Sequence, residues 1–313
     1  MLRGKIVIIG AGFVGSTCAY TIMLDGFFQE IVLIDLNKDK AEGDALDMAH
    51  GVSLRKPVSV YSGDYKDCKE ADIVVITAGV NQKVGETRID LLKRNADIFR
   101  DIVGNVMKYA PDDVILLTVS NPVDILTYIT YKLSGLPKHR VIGSGTVLDT
   151  SRLKYLMSRH TGVDARSCHT YIIGEHGDSE VAAWSVTNIA GMDMHKFFEN
   201  YGKCTDEDLD RMYNEVKNSA YGIIEKKGAT YYAIAVAVAR IVECIAGSEN
   251  SVLTVSSILD GEYGVKDIAL SVPVQLSGEG VERVLDVPFN ENELRGLRSS
   301  AETLKESLKS IGF

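Results

Sequence analysis

The sequence predicts an α/β protein in which a doubly wound parallel sheet is followed by an α+β domain. Two observations carry this prediction. In the first half, short runs rich in Val and Ile alternate with helix-like segments, and the runs are nearly continuous in hydrophobicity, as strands buried on both faces are. Beyond about residue 145 this alternation stops. We therefore predict two domains, residues 1–145 and 146–313, that pack directly on each other.

In the first domain, helix-like segments connect successive strands, which favours right-handed crossovers and a mainly parallel sheet. Strands are predicted over residues 5–9, 31–35, 58–61, 73–77 and 114–119. Helices are predicted over residues 13–24, 40–50, 87–109 and 123–133.

The second domain mixes both kinds of element. Helices are predicted over residues 148–160, 206–227, 230–246 and 290–310. The third is apolar enough to be central to a core, and the last begins at a plausible Asn290 cap. Strands 169–173 and 181–186 flank a Gly-rich turn, and strands 252–259 and 268–276 are predicted to be antiparallel, joined by the turn-forming residues 260–264.

Composition excludes several classes of function. The chain has 313 residues, with 34 Lys and Arg against 43 Asp and Glu, so its formal net charge is −9. This acidic balance argues against nucleic-acid and membrane partners, which need a basic face. The five cysteines are widely spaced without a Cys-x-x-Cys pair, which suggests neither a zinc site nor a disulfide framework. No signal peptide or membrane-length apolar run is apparent, so we expect a cytoplasmic protein.

A Gly-x-Gly-x-x-Gly motif follows the first predicted strand and opens the first predicted helix, which is the setting of a Rossmann-type dinucleotide site. Its glycines allow a tight turn and close approach of a pyrophosphate to the helix N-terminus. Asp35 ends the second strand, where a carboxylate binds a ribose hydroxyl and repels a 2′-phosphate. The cofactor is therefore predicted to be NAD, and a Gly-rich turn that binds nothing is a poor competitor. The expected contacts are Gly10, Gly12, Phe13, Val14, Gly15 and Asp35.

Three further segments contain candidate catalytic residues. Residues 78–88 follow a strand and form a polar loop that ends in Arg88, as a hinged lid carrying a cation would. Taken alone, however, this segment favours an ordinary solvent-exposed loop. Asp149 and Arg152 share a helix face, where they form either a surface ion pair or a site that orients a histidine and holds a carboxylate. Of six histidines, His176 alone has glycines on both sides, in a turn after a strand, which makes it the general acid/base candidate.

Together these segments resemble the L-lactate dehydrogenase and L-malate dehydrogenase superfamily, in the same order and over nearly the whole chain. The matching segments are GAGFVG (10–15), AGVNQKVGETR (78–88), SNPVD (120–124), GSGTVLDTSR (143–152), IIGEHGD (172–178) and KGATYYA (227–233).

The resemblance implies reversible, NADH-dependent reduction of pyruvate to (S)-lactate. It implies that His176 is the proton donor, that Asp149 stabilises the imidazolium, and that Arg152 holds the substrate carboxylate. Arg88 then polarises the reacting carbonyl from the lid, and Thr230 forms a wall of the substrate pocket. Further contacts to cofactor or substrate are implied for Ala78, Gly79, Ser120 and Asn121. The Asn121–Pro122 peptide bond is a candidate for the cis form.

One lid position divides the superfamily, because malate enzymes carry Arg six residues before the lid arginine. Here that residue is Gln82, which cannot neutralise the second carboxylate of oxaloacetate. An unpaired carboxylate under a closed lid would cost several kcal/mol. We therefore favour lactate as the substrate, with malate or a larger 2-hydroxy acid as the alternative. A Rossmann protein that only senses NAD is a second alternative.

The resemblance also bears on assembly and regulation. Many bacterial relatives are tetramers activated by fructose 1,6-bisphosphate, which an Arg and a His bind at a subunit interface. The matching residues here are Lys154 and His169. Lys can bind phosphate but lacks the bidentate guanidinium fork. A homotetramer with such an effector site is one hypothesis, and plain interface or surface residues are the other.

Overall fold

The computed structural model describes residues 3–80, 85, 87–202 and 204–313. Over these residues the chain forms sixteen strands and nine α-helices. The strands are β1 (Arg3–Ile9), β2 (Phe28–Ile34), β3 (Ser59–Ser62), β4 (Ile73–Ile76), β5 (Ile115–Thr118), β6 (Val141–Gly143), β7 (Cys168–His169), β8 (Ile172–Ile173), β9 (Val181–Ala182), β10 (Asn188–Ile189), β11 (Met192–Asp193), β12 (Ser251–Leu253), β13 (Ser256–Asp260), β14 (Lys266–Ser271), β15 (Val274–Ser277) and β16 (Gly280–Val284). The helices are α1 (Phe13–Asp25), α2 (Lys38–Gly51), α3 (Arg88–Val106), α4 (Val123–Ser134), α5 (Val147–Thr161), α6 (Met194–Tyr201), α7 (Asp206–Lys227), α8 (Tyr232–Gly247) and α9 (Glu291–Ser310).

The largest sheet formed by these residues has eight strands in the order β14-β13-β6-β5-β4-β1-β2-β3. Strand β1 pairs in parallel with β2 and β4, so that Ile6 lies opposite Ile31 and Ile73. The pairs β2–β3, β4–β5 and β5–β6 are also parallel. This is the strand order of a Rossmann-type sheet, with its topological switch between β1 and β4. The predicted fold class is therefore confirmed.

The second half of the chain adds a hairpin to this sheet. Strands β13 and β14 pair antiparallel, as predicted, and β13 also pairs antiparallel with β6. The two long strands expected here are each broken in the structure. The second breaks before β15, where Pro273 has no N–H to donate to a ladder. The pieces β12 and β15 then pair with each other in a separate sheet with β16.

The region around residues 168–194 departs most from prediction. The expected strand 169–173 is two short strands, because β7 pairs with β10 whereas β8 pairs with β9. The expected strand 181–186 is a strand only at β9 and then turns into a single 3₁₀ turn, Trp184–Val186. Strands β6, β10, β11 and β16 and helix α6 were not predicted, because each is too short to show a periodic pattern.

Helix α8 is central to the core, as its apolar sequence predicts. It buries Ala235, Val238, Ile241 and Ile245 and packs on α1. Helix α9 begins as predicted at Asn290, whose side chain accepts the N–H of Glu293 at 2.9 Å. All five cysteines are free, and four of them are buried. In the described part of the chain, no helix combines the length and the apolar character needed to cross a membrane.

Candidate active site

A cleft of about 580 Å³ opens at the carboxyl edge of the main sheet, next to the switch between β1 and β4. Ligands bind at this position in open α/β sheets. Both halves of the chain form its walls. The predicted site residues that line it are Gly12, Phe13, Val14, Gly15, Gly79, Ser120, Asn121, Arg152, His176 and Thr230. The structure thus brings these ten predicted residues to one cavity, whereas Gly10, Asp35, Ala78, Arg88 and Asp149 are not among the residues that line it.

The glycine turn is too tightly packed for side chains at two of its three positions. Gly10 has φ 104°, and a Cβ there would lie 2.6 Å from the Ala78 backbone nitrogen. A Cβ on Gly15 would lie 1.8 Å from the Gly10 carbonyl oxygen. At Gly12, by contrast, a Cβ would meet no atom within 4 Å. The turn is therefore closed against the sheet and open to the cleft at the N-terminus of α1, which fits the pyrophosphate of NAD.

Asp35 lies beside this turn, although it is not among the residues that line the cleft. One carboxylate oxygen accepts the Ala11 N–H at 2.6 Å, and the other accepts the Asn37 N–H at 2.8 Å. These bonds hold the carboxylate at the end of β2, adjacent to the glycine turn. This is the place from which a carboxylate can bind an adenosine ribose.

The candidate proton-transfer residues are three side chains linked by hydrogen bonds. One oxygen of Asp149 lies 2.5 Å from His176 Nδ1, and the other accepts a bond from Arg152 Nη1 at 2.8 Å. The Asp149 side chain is only 3% exposed, whereas 26% of the His176 side chain remains accessible. Asp149 and Arg152 do form an ion pair, as one of the two sequence-based interpretations held, but the pair is buried and also engages the histidine.

The charges of these three side chains favour the protonated form of His176. Burial alone lowers the pKa of His176, but the Asp149 carboxylate more than compensates, and the pKa is raised to about 9. Burial likewise raises the pKa of Asp149, but His176 and Arg152 outweigh it and hold the pKa below its ordinary value. At neutral pH the pair is therefore an imidazolium and a carboxylate, with a proton available on the ring.

The structure adds Asp124, which sequence analysis did not single out, to this site. Asp124 is 1% exposed and accepts the backbone N–H of His176 at 2.7 Å. It also accepts the hydroxyls of Ser256 at 2.6 Å and Ser271 at 3.3 Å. Burial raises the pKa of Asp124 to about 6 against the effect of these bonds. The signal in the sequence was an acidic residue among apolar ones in the SNPVD segment.

Replacing Asp124 with Ala is expected to destabilise the fold and to lower kcat. The change leaves the His176 N–H and two buried hydroxyls without their acceptor, and each unpaired buried group costs about 1–3 kcal/mol. Urea unfolding should show a lower midpoint for this variant, while Asp112→Ala, which removes an exposed carboxylate, should match the parent chain. Equal midpoints for the two variants would contradict this role.

The stem of the predicted lid is held by buried polar bonds. Asn95, fully buried on α3, accepts the Val80 N–H at 3.0 Å, and the Ser120 hydroxyl donates to the Ala78 carbonyl at 2.6 Å. The Asn121–Pro122 bond is cis, as anticipated.

Of the two predicted lid residues, Gln82 lies outside the described residues. Arg88 is exposed in the first turn of α3 and is not among the residues that line the cleft, so the structure does not bring it to His176.

Lys154 and His169, the candidate effector residues, lie away from the cleft walls. Lys154 is half-buried on α5, and burial lowers the pKa of its amine. The charge of Lys154 is close enough to Cys168 to lower the pKa of its thiol, although burial outweighs this effect. Cys168 directly precedes the exposed His169 on β7. The two side chains therefore belong to one region of the second half.

One group of possible metal ligands occurs among the described residues, outside the cleft. Ligand atoms of His160, Cys204 and Asp208 lie within 4.8 Å of one another. Asp208, however, caps α7 by accepting the Thr205 N–H at 2.9 Å and also pairs with Arg211 at 2.5 Å. Its carboxylate is already engaged, and we assign no metal to this group.

Comparison with known proteins agrees with the geometry of the cleft. Residues 4–143 match the model of the lactate/malate dehydrogenase NAD binding domain, and residues 146–312 match that of the lactate/malate dehydrogenase alpha/beta C-terminal domain. The chain is 58% identical over 308 residues to the L-lactate dehydrogenase of Acetivibrio thermocellus, covering 98% of this chain and 97% of that protein. It is 59% identical over 308 residues to L-lactate dehydrogenase 1 of Clostridium acetobutylicum, covering 98% of each.

Solved structures give the same result. The minor L-lactate dehydrogenase of Enterococcus mundtii, in its ligands-bound form, superposes with a TM-score of 0.95 at 46% identity, covering 99% of each chain. A lactate dehydrogenase enzyme from a Medee basin deep-sea metagenome library superposes with a TM-score of 0.97 at 44% identity, covering 100% of each chain. Full-length matches of both sequence and structure at this identity establish common descent. The chain therefore belongs to the lactate/malate dehydrogenase family, and residues 4–143 are the NAD-binding domain of that family.

Proposed function

We propose that this chain is an L-lactate dehydrogenase that reduces pyruvate to (S)-lactate with NADH, reversibly. The observation that carries this proposal is the single cleft that joins the open glycine turn to the three linked side chains His176–Asp149–Arg152. A protein that only sensed NAD would have no need of a buried histidine–carboxylate pair beside an arginine. The relatives that bear the name L-lactate dehydrogenase support the same activity.

Each residue of the cleft has a distinct task in this reaction. NADH, when bound, supplies the hydride. Arg152 holds the substrate carboxylate, and this fixes the keto group near His176. His176 gives its ring proton to the carbonyl oxygen as negative charge grows there, and Asp149 stabilises the imidazolium until the proton leaves. Asn121 and Thr230, which line the cleft, bound the space for the small substrate.

Arg88 has the role of polarising the carbonyl in this proposal. Because it is exposed and outside the cleft walls, this role requires Arg88 to move inward when substrate binds. Inward movement excludes water and strengthens the field of the arginine at the carbonyl oxygen. Gln82 is proposed to leave a second substrate carboxylate without a partner, which favours pyruvate over oxaloacetate.

The test of the proposed function is oxidation of NADH, followed by absorbance, with pyruvate, oxaloacetate and a larger 2-keto acid compared at equal concentration. We expect kcat/KM to be highest for pyruvate. A preference for oxaloacetate would overturn the role of Gln82 and favour a malate dehydrogenase. Preference for the larger acid would favour a broader 2-hydroxy acid dehydrogenase. NADH binding without turnover of any of the three would favour the sensor.

The two directions of the reaction are expected to depend oppositely on pH. Pyruvate reduction needs protonated His176, whose pKa is raised to about 9. The kcat/KM for pyruvate should therefore be level below that pH and fall about tenfold per pH unit above it. Lactate oxidation needs the neutral ring, so its kcat/KM should rise towards pH 9. Initial rates in both directions over a pH series check this, and parallel profiles would contradict it.

We further propose a cytoplasmic homotetramer in which Lys154 and His169 bind a phosphate of fructose 1,6-bisphosphate. A bound phosphate would stabilise the charged form of the half-buried Lys154 amine. Sedimentation checks the assembly. The effector site is checked by pyruvate saturation curves with and without the bisphosphate. These curves are measured for the parent chain, for Lys154→Met and for the matched surface variant Lys196→Met. Unchanged curves on adding the bisphosphate to the parent chain would favour plain interface or surface residues at these two positions.

A further inference from the structure

Glu180 is a buried acid that the proposed reaction does not use. It follows His176 by four residues and is only 5% exposed. Its backbone is held on both sides, because its N–H donates to the Gly177 carbonyl at 3.2 Å and its own carbonyl accepts the Tyr213 hydroxyl. Within the described part of the chain, its buried carboxyl oxygen Oε1 has no hydrogen-bond partner. Such a group is costly to bury, and its presence needs a reason.

The charged groups that face Glu180 come from three elements. Helix α5 contributes Asp149 and Arg152, the loop after β8 contributes His176, and α7 contributes Lys217. Burial first, and then the Asp149 carboxylate, raise the pKa of Glu180, and the three cationic groups oppose this rise. The net pKa is about 8. Glu180 therefore holds a proton at neutral pH and ionises in the same alkaline range in which His176 loses its ring proton.

Lys217 does not form a close ion pair with Glu180. Its ammonium donates to the Asp178 carbonyl at 2.7 Å and lies 5.4 Å above the centre of the Tyr213 ring. The negative charge that appears when Glu180 ionises is thus not cancelled by a contacting cation among the described residues. In this weakly polarisable surrounding, that charge acts on the neighbouring His176–Asp149 pair.

We propose that Glu180 is a positioning residue that acts through His176, because its ionised carboxylate adds a third negative charge near the imidazolium, after those of Asp149 and Asp124, and so retains the ring proton at alkaline pH. This role rests on the proposed function. Ionised Glu180 extends the pH range of ketone reduction upward and delays the alcohol oxidation that needs a neutral ring. Without Glu180, Asp149 and Asp124 would leave His176 to lose its proton at lower pH.

The test compares Glu180→Gln with Glu215→Gln, which removes an exposed carboxylate from α7. Gln keeps the size of the side chain and cannot ionise. In the cofactor-free protein, the rate at which diethyl pyrocarbonate modifies neutral His176 is measured against pH by peptide mass spectrometry. We expect the proton dissociation constant of His176 to rise threefold or more in Glu180→Gln and to stay within 1.5-fold in Glu215→Gln. The exposed His195 in the same samples is an internal control whose profile should not change.

A second readout uses turnover. In Glu180→Gln, kcat/KM for pyruvate should stay within twofold near neutral pH and fall threefold or more on the alkaline limb, whereas a merely structural role would lower it at every pH. Glu180→Asp, which keeps the carboxyl, should retain the parent's His176 constant within twofold. Glu180→Met, which is of similar size and also cannot ionise, replaces Glu180→Gln if the Gln variant does not fold. An unchanged His176 titration in the variant that cannot ionise would overturn the proposal. Because the modification rates need no turnover, they decide the role of Glu180 even if the parent chain fails to reduce pyruvate.

Discussion

Replacing His176 with Asn is expected to lower kcat for pyruvate reduction by about 10²–10⁴-fold, the range found when a general acid/base is removed. Asn has a similar reach and can still bond to Asp149, so the cleft should keep its shape. It cannot carry the proton that the carbonyl oxygen receives. Single-turnover measurement of NADH oxidation checks the chemical step directly, and KM should change far less than kcat, because His176 is engaged most strongly as charge develops.

The matched control is His195→Asn on α6, an exposed histidine that is not among the residues lining the cleft. Its kcat should equal that of the parent chain. Should His176→Asn retain most of its activity, the proton would have to come from another group, and the assignment of His176 as the proton donor would be wrong. Loss of NADH binding in this variant would also argue against it, since the glycine turn is untouched.

Replacing Arg152 with Lys is expected to cost about 2–5 kcal/mol in kcat/KM for pyruvate, which is roughly 30-fold to several thousand-fold. One nitrogen of the guanidinium is committed to Asp149 at 2.8 Å, and the side chain also lines the cleft. The guanidinium fork can bond the Asp149 carboxylate with one nitrogen and present its remaining N–H groups to a substrate carboxylate. A lysine ammonium has one centre, and it loses the planar two-point grip.

Arg159→Lys on the same helix is the control, since Arg159 is exposed in the last turn of α5. Its kcat/KM should match the parent value. NADH affinity, measured by fluorescence titration, should be unchanged in both variants, because neither side chain belongs to the glycine turn. A variant Arg152→Lys with parental KM for pyruvate would show that another group holds the substrate carboxylate.

The parts of the fold that could be predicted are those with long periodic signals. Helix α7 occupies the predicted residues 206–227, and α9 starts at the predicted Asn290 cap. The strands of residues 168–194 were predicted only in part, because two-residue strands have no period of their own and depend on the strands that pair with them. The pairing of β13 with β6 depends on contacts across more than a hundred residues, which no local pattern records.

The candidate site likewise contains residues that could be predicted from the sequence and residues that could not. The glycine turn and His176 carry local signatures, namely the glycine spacing and the flanking glycines, and both lie in the cleft. Asp124 has only the weak signal of an acidic residue among apolar ones, and Glu180 has none, because the importance of both comes from burial near His176. The position of Arg88 outside the cleft was also beyond sequence reasoning, since motif matching gives identity and order but not the conformation of a loop.

The hairpin that completes the main sheet sets a limit on how this protein can be divided. Strands β13 and β14 come from the second half, yet they cover the edge of β6. They also supply Ser256 and Ser271, the hydroxyls that bond to Asp124. A fragment that ended near residue 145 would expose a bare strand edge, which invites aggregation, and its Asp124 would lose these donors. The two halves therefore cannot be treated as exchangeable cassettes: chimeras within this family should keep β6, β13 and β14 from one parent.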